Sequence, residues 1–202
     1  MKIVLLVEGK TETVFLGSLR TFLVGRCPVG AMPKLDAWPY DGRIPKGDKL
    51  RRVVADALTK RPQPADAVIA LPDVYTGTAD FSGAADAKQK MQQWAGDLRF
   101  YPHVALHDFE AWLLPFWPDI QRLAKHNKTA PSVHPEAVNH NKPPSKHIAE
   151  IFEAGGRGSY VKPRDARRIL EGKDLAVAAN VCPELKALLN TVLVLSGCER
   201  LP

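Results

Sequence analysis

The sequence predicts an α/β fold: a mostly parallel sheet flanked by helices, followed by a helical C-terminal extension. Three observations predict it. Short apolar runs at Ile3–Val7, Ala67–Leu71 and Phe100–Leu106 have the length and continuity of buried strands. Segments with helical spacing of apolar residues alternate with them, the order expected of a parallel sheet with right-handed crossovers. Each run also stops at an acid: Glu8, Asp73, and the pair Asp108 and Glu110.

The elements follow in order. Ile3–Val7 is the first strand, closed by Glu8 and Gly9. Thr11–Val24 is a helix with Phe15, Leu19, Phe22 and Leu23 on one face. Pro28 to Pro33 is a loop rich in breakers, and Lys34–Trp38 a second strand closed by Pro39. A basic segment, Arg43, Lys46, Lys49, Arg51 and Arg52, leads into a helix over Asp48–Thr59. Ala67–Leu71 is the next strand, Tyr75–Gly83 is turn-rich, and Ala84–Leu98 is helical. Phe100–Leu106 is a further strand ending at His107-Asp108. A helix then starts over Phe109–Phe116, interrupted by Pro115 and Pro118. The organisation expected is an α/β core over 1–120, a polar loop or linker over 121–144 and a helical extension over 145–202. In that extension Ser145 is positioned to cap a helix over Ser145–Phe152, Gly155–Gly158 breaks it, and Pro163–Leu170 and Val181–Leu195 are helices.

Composition bounds the function. Hydrophobic residues make up 45% of the 202, enough for a packed core. A net charge of +6 and a pI near 9.3 permit contact with nucleic acid without establishing it. The cysteines, Cys27, Cys182 and Cys198, lack CxxC spacing and argue against a disulfide framework or a zinc ribbon. The opening strand carries no signal-peptide cleavage site, and no apolar stretch approaches the length of a membrane span. A reducing, cytoplasmic setting is expected.

In a parallel sheet the acidic strand ends lie along one edge, where such sheets place their ligands. Glu12 stands four residues after Glu8, across the turn into the first helix. Glu8, Glu12, Asp73, Asp108 and Glu110 thus make an oxygen-rich candidate site for Mg²⁺ or Mn²⁺, with His107 as a proton-transfer group. Acids at strand ends also serve as solvated loop residues or as partners of helix N-termini, and Asp108 is placed to cap the helix starting at Phe109. Gly9-Lys10-Thr11 is not a Walker loop, because Val4 stands where that motif needs its first glycine. Lys10 remains a candidate phosphate contact.

Val7-Glu8-Gly9-Lys10-Thr11-Glu12 resembles the first motif of Toprim domains, the fold of topoisomerases, bacterial primases and overcoming-lysogenization-defect nucleases. The resemblance implies a catalytic role for Glu8 and a metal-binding role for Asp73; Tyr75 stands where the second acid of the Toprim Asp-x-Asp would be. The whole chain resembles the Toprim-like family called domain of unknown function 4276. The blocks that carry this are the opening VEGKTE, Asp73-Val-Tyr-Thr-Gly77, Asp80-Phe-Ser-Gly83, His107-Asp-Phe-Glu-Ala-Trp112, Pro144-Ser-Lys146, Tyr160-Val-Lys162 and Cys182-Pro183. They span residue 3 to about 195. By this resemblance Lys146, Tyr160 and Lys162 bind phosphate or close over the site, and relatives with Toprim-like domains occur in phage-defence systems, often beside an ATPase.

The expectation is a divalent-metal-dependent enzyme acting on phosphodiester bonds of DNA or RNA. Glu8, Asp73 and Glu110 would hold metal, and Lys10, Lys146 and Lys162 would steady phosphate. The alternatives are a non-catalytic binding or regulatory subunit of an ATPase-containing complex, favoured by Tyr75, and a small-molecule phosphohydrolase. Tyr75 either hydrogen-bonds a ligand beside Asp73 or closes the turn. Trp94, Trp112 and Trp117 are expected in the core. His126, His134 and His140 are expected in solvent, as is the helix face carrying Arg164, Arg167, Arg168 and Lys173.

Overall fold

Six residues of unbroken or nearly unbroken apolar character suit a strand covered on both faces. The computed structural model describes residues 1–28, 30–40, 42–60, 62–75, 80–138, 141–156 and 158–202. In it β1 (Lys2–Val7), β2 (Lys34–Pro39), β3 (Ala67–Leu71) and β4 (Phe100–Pro102) form one sheet in the order β2-β1-β3-β4, with every pair parallel. Leu5 is level with Ala37 on one side and Ile69 on the other. Alternate side chains serve opposite layers. Ile3, Leu5, Val7, Ile69 and Leu71 join one apolar cluster, and Val4, Leu6, Val68 and Ala70 join the other.

Helices cover both layers. α1 (Lys10–Val24) buries Phe15, Leu16, Leu19, Phe22 and Leu23 in the first cluster. α2 (Gly47–Thr59) and α3 (Ala84–Ala95) bury Leu50, Val54, Ala87 and Met91 in the second. The chain therefore leaves β1 for β2 by one face and reaches β3, on the other side of β1, by the opposite face. The gap between the C-terminal ends of β1 and β3 is the topological switch point of the sheet.

Several expected boundaries move. The strand expected over Phe100–Leu106 pairs only over Phe100–Pro102, where Pro102, level with Ala70, has no N–H for the ladder; pairing resumes at a single Asp73–Ala105 bridge. α3 stops at Ala95, where Gly96 takes φ 66°. Phe109–Phe116 is a 3₁₀ helix containing Pro115, and α4 (Trp117–Ala124) begins after it with Pro118 in its first turn, so that proline starts a helix. The 3₁₀ helix is apolar almost all round and is buried, with Phe109 and Trp112 at 5.4 and 5.6 Å from Phe15.

The C-terminal helices pack on the layer that holds α1. They are α5 (Pro144–Ala154), α6 (Lys162–Leu170), α7 (Leu175–Ala179) and α8 (Pro183–Leu195). Ser145 does not cap α5: the N-cap position is Pro143, and the Ser145 N–H is committed to Asp108. α7, unforeseen, is capped by Asp174, which accepts the Ala176 N–H at 3.0 Å. α5 closes at Gly155, where only glycine fits, since a Cβ there would stand 1.8 Å from the Ala124 carbonyl oxygen. Between α4 and α5, the Trp117 indole donates to the Lys128 carbonyl, and a 3₁₀ turn at Pro135–Ala137 buries Glu136.

One cysteine expectation is corrected. Cys27, just past α1, forms a disulfide with Cys198 near the C-terminus, a pairing that sequence spacing could not show across 171 residues. Cys182 is free and buried. Among the described residues no helix is long and apolar enough to cross a membrane.

Candidate functional site

The switch point assembles the acids. β1 delivers Glu8, and Gly9 turns the chain into α1. The Glu8 carboxylate accepts the Ile44 N–H through Oε1 and the Asp73 N–H through Oε2, each at 3.3 Å. It thereby joins the end of β1 to the loop before α2 and to the end of β3. Burial is the main force on this group and pushes its pKa up to about 6, against the two amide bonds that lower it. Glu12, one turn on, is 6% exposed and is also raised, chiefly by burial.

Asp73 is held well above the usual carboxylate range, first by burial and then by Glu12, Asp108, Glu110 and Glu8. Its Oδ1 accepts the Phe109 N–H at 3.0 Å. Asp108 occupies the N-cap position of the 3₁₀ helix, yet its side chain does not cap it. That bond comes from Asp73, and Asp108 Oδ2 instead accepts the Ser145 N–H at 3.2 Å. The other Asp108 oxygen, Oδ1, is buried with no hydrogen-bond partner.

Glu110 is 1% exposed and pushed up to about 7, by burial first and by Asp108 next. It accepts the Tyr160 hydroxyl at 3.3 Å and pairs with Lys162 Nζ at 3.2 Å. Burial works against the Lys162 charge, but Glu110 and Asp108 hold its pKa above the ordinary value. The carboxylate Glu110 and the same acids raise the Tyr160 hydroxyl, after burial. Tyr75 is likewise raised by burial and by Asp108 and Asp73, and its ring lies 6.2 Å from that of buried His107. His107 follows a cis peptide bond.

The structure thus brings Glu8, Glu12, Asp73, Asp108, Glu110, Tyr160 and Lys162 into one electrostatic unit, with Tyr75 and His107 beside it. Lys10 and Lys146 are exposed, and among the described residues neither is bonded to the acids. Among the described residues no group of three or more His, Cys, Asp or Glu is drawn together as a cage for a metal ion. Glu8, Asp73, Asp108 and Glu110 each turn an oxygen to an amide, a hydroxyl or an ammonium rather than to a common centre.

A cleft of about 260 Å³ opens at this unit, lined by Glu8, Asp73 and Tyr75 together with Arg43, Lys46, Phe81 and Trp94. Trp94 is partly buried against the second apolar cluster and also lines the cleft, whereas Trp112 and Trp117 are buried as expected. The basic face of α6 is partly neutralised: Arg164 and Arg168 pair with buried Asp165, and Lys173 pairs with Asp119. His126 accepts the Lys128 N–H, His134 is exposed, and His140 and the Thr76-Gly77 part of the second motif lie outside the described residues. Sequence reasoning missed the Ile44 and Ser145 amides that seat the acids. No side-chain pattern marks a backbone donor supplied from 36 residues away.

The architecture has a counterpart among solved structures. The C-terminal region of the Burkholderia pseudomallei OLD protein is similar with a TM-score of 0.51 and 11% sequence identity, over 94% of this chain and 98% of that one. This likeness shows a shared fold, in keeping with the Toprim resemblance of the first motif. No curated protein matches the sequence. The family model called domain of unknown function (DUF4276) matches residues 7–193, from the last residue of β1 into α8, and the chain belongs to that family.

Proposed function

We propose that this protein is a Mg²⁺- or Mn²⁺-dependent enzyme that cleaves phosphodiester bonds of nucleic acid. The observation that carries the reading is the crowding of buried acids at the β1/β3 switch point, which leaves the site short of positive charge. The donor chemistry suits a hard divalent cation, since the donors are all carboxylate oxygens that repel one another and Asp108 Oδ1 is buried without a partner; their gathering onto one centre is part of the proposal. Glu8, Asp73 and Glu110 would hold it, with Glu12 and Asp108 adjoining. When bound, such an ion grips phosphate and activates water.

The chain's own groups have separate tasks. Amides of Ile44 and Asp73 aim Glu8, and Tyr160 and Lys162 fix Glu110. His107, buried beside Tyr75, would carry a proton. Exposed Lys10 and Lys146 would meet the phosphate backbone, as would Lys162 from its half-exposed position. The family resemblance and the OLD-like fold support a nuclease, and extend the proposal to a cytoplasmic effector working with an ATPase partner in phage defence.

The test is cleavage of plasmid DNA and total RNA with Mg²⁺ or Mn²⁺, wild type beside Glu8→Gln. The expected result is metal-dependent cleavage that falls about 100-fold or more in the variant. Equal cleavage by both proteins would remove Glu8 from the site. A second reading, a non-catalytic binding or regulatory subunit, is favoured by Tyr75 in place of the second motif acid and by the dispersed oxygens. It requires no metal-dependent stabilisation and a Glu8→Gln variant that binds its partner normally.

A further inference from the structure

The cleft beside the acids has a chemistry that the acids do not use. Its floor is apolar: Ile44 and Met91 are buried at 5% and 2% exposure, and the rings of Phe81 and Trp94 stand 6.2 Å apart at 44°. Its rim is basic. Arg43 and Lys46 both pair with Asp80, at 2.9 and 2.7 Å, so a single carboxylate faces two cations. Lys46 and Lys90 also lie over the Phe81 ring, at 5.4 and 5.7 Å from its centre. The Arg43 side chain is 76% exposed. Glu8 and Asp73 line the same cleft.

A volume of about 260 Å³ is below the usual range of about 300–1,000 Å³ for drug-sized ligands. It suits one planar ring system with its substituent left outside. Aromatic and apolar surfaces below a cationic rim are the pairing that single-stranded nucleic acid demands: a base to stack and a phosphate to hold. A base inside a duplex could not enter, because its faces are already stacked.

We infer that this cleft receives the base of an unpaired nucleotide, with its phosphate between Arg43 or Lys46 and the acids of the switch point. The inference rests on the proposed nuclease reading and gives it a substrate class: single-stranded or locally unpaired nucleic acid. A free mononucleotide offers the same base and phosphate, so the two sources must be separated by experiment.

The test is binding of the full chain to short labelled strands with Ca²⁺ in place of Mg²⁺, alongside the cleavage assay. The probes are a single strand, the same strand with abasic sites, the matching duplex, and a 5′-mononucleotide as competitor. A single strand binding about 10-fold or more tighter than the abasic strand and the duplex is the expected result. Trp94→Leu should erase the preference over the abasic strand, and Arg43→Ala, at an exposed site, should weaken both strands alike. Competition by mononucleotide at equal affinity assigns the cleft to free nucleotides; weaker competition assigns it to the polymer. Equal affinity for base-bearing and abasic strands, or no binding to either, overturns the inference. A protein that cleaves without base preference keeps the nuclease reading and loses the cleft. One that prefers bases but never cleaves does the reverse.

Discussion

Asp73 ends β3 and gives one oxygen to the Phe109 N–H at 3.0 Å, so it secures the start of the 3₁₀ helix as well as one wall of the site. Those two duties need different things. The hydrogen bond needs only an acceptor, which an asparagine amide supplies; the proposed site needs a charge. That charge is costly in the folded protein, where burial and four neighbouring acids push the carboxyl well above its ordinary range. For a carboxyl raised in this way, stability is lost as pH rises and the group ionises. Asp73→Asn should therefore match or exceed wild-type stability at neutral pH without metal, by up to about 1 kcal/mol, while cleavage falls about 100-fold. Thermal melts beside the nuclease assay check both halves, and a variant that melts far lower would make the charge structural. His103 offers a cleaner pH signal away from the acids. Burial, and then Lys88, lower its pKa from 6.5 to about 4, while Nε2 lies 2.9 Å from the Thr191 hydroxyl. The unfolded chain binds this proton first on acidification, so stability is intact above pH 6.5 and is lost as pH falls toward 4, by at most about 3 kcal/mol. Urea midpoints across that window should fall in wild type and stay flatter in His103→Gln.

At the scale of elements, Glu136 shows a buried carboxylate with a purely architectural task. It accepts the Trp112 indole N–H at 3.0 Å and the N–H groups of Glu184 and Leu185 at 3.1 and 3.3 Å, so it holds the first turn of α8 against the 3₁₀ helix. A negative group at a helix N-terminus is favourable in itself, and here it also satisfies first-turn N–H groups that have no partner within the helix. Glu136→Ala should cost about 2–3 kcal/mol, read as a lower urea midpoint, and Glu136→Gln clearly less, because it keeps an acceptor. Nothing in the polar 121–144 stretch of the sequence announces this. β1 and β3 were legible because apolar runs closed by Glu8 and Pro72-Asp73 have no other economical fold. The 3₁₀ helix was read as an ordinary helix, since apolar spacing does not separate the two at eight residues, and β4 was overread because an apolar run does not show where the neighbouring strand stops pairing with it. The acids of the site were legible for a topological reason: parallel strands put their C-terminal ends on one edge. Their partners were not. Ser145 reaches Asp108 across 37 residues and Lys162 reaches Glu110 across 52, and local pattern carries no such distance.

For the whole molecule, the sheet divides the apolar interior into two layers of unequal extent. The layer holding α2 and α3 is complete by residue 104, whereas the layer holding α1 also takes in α5 to α8. The site lies where this larger layer meets the strand ends, and Tyr160 and Lys162 reach it from the start of α6. The C-terminal helices are thus part of the site's construction, and loosening them should loosen Glu110. The Cys27–Cys198 bond bears on this directly, because it ties the end of α1 to the tail beyond α8, with Cα atoms 5.4 Å apart. Closing a loop of 171 residues restricts the unfolded chain more than most cross-links do. Its removal should cost about 2–4 kcal/mol, by the usual range for such bonds. Melting curves with and without reductant measure that cost: oxidised wild type should melt highest, and Cys198→Ser should melt with reduced wild type and ignore the reductant. The same experiment bears on the proposed setting. In a reducing cytoplasm the pair would stand as two thiols, and protein alkylated at lysis would then carry label on Cys27 and Cys198, with cleavage measured in reductant as the relevant activity. Label confined to Cys182 after unfolding would place the oxidised form in the cell and argue against the cytoplasmic proposal.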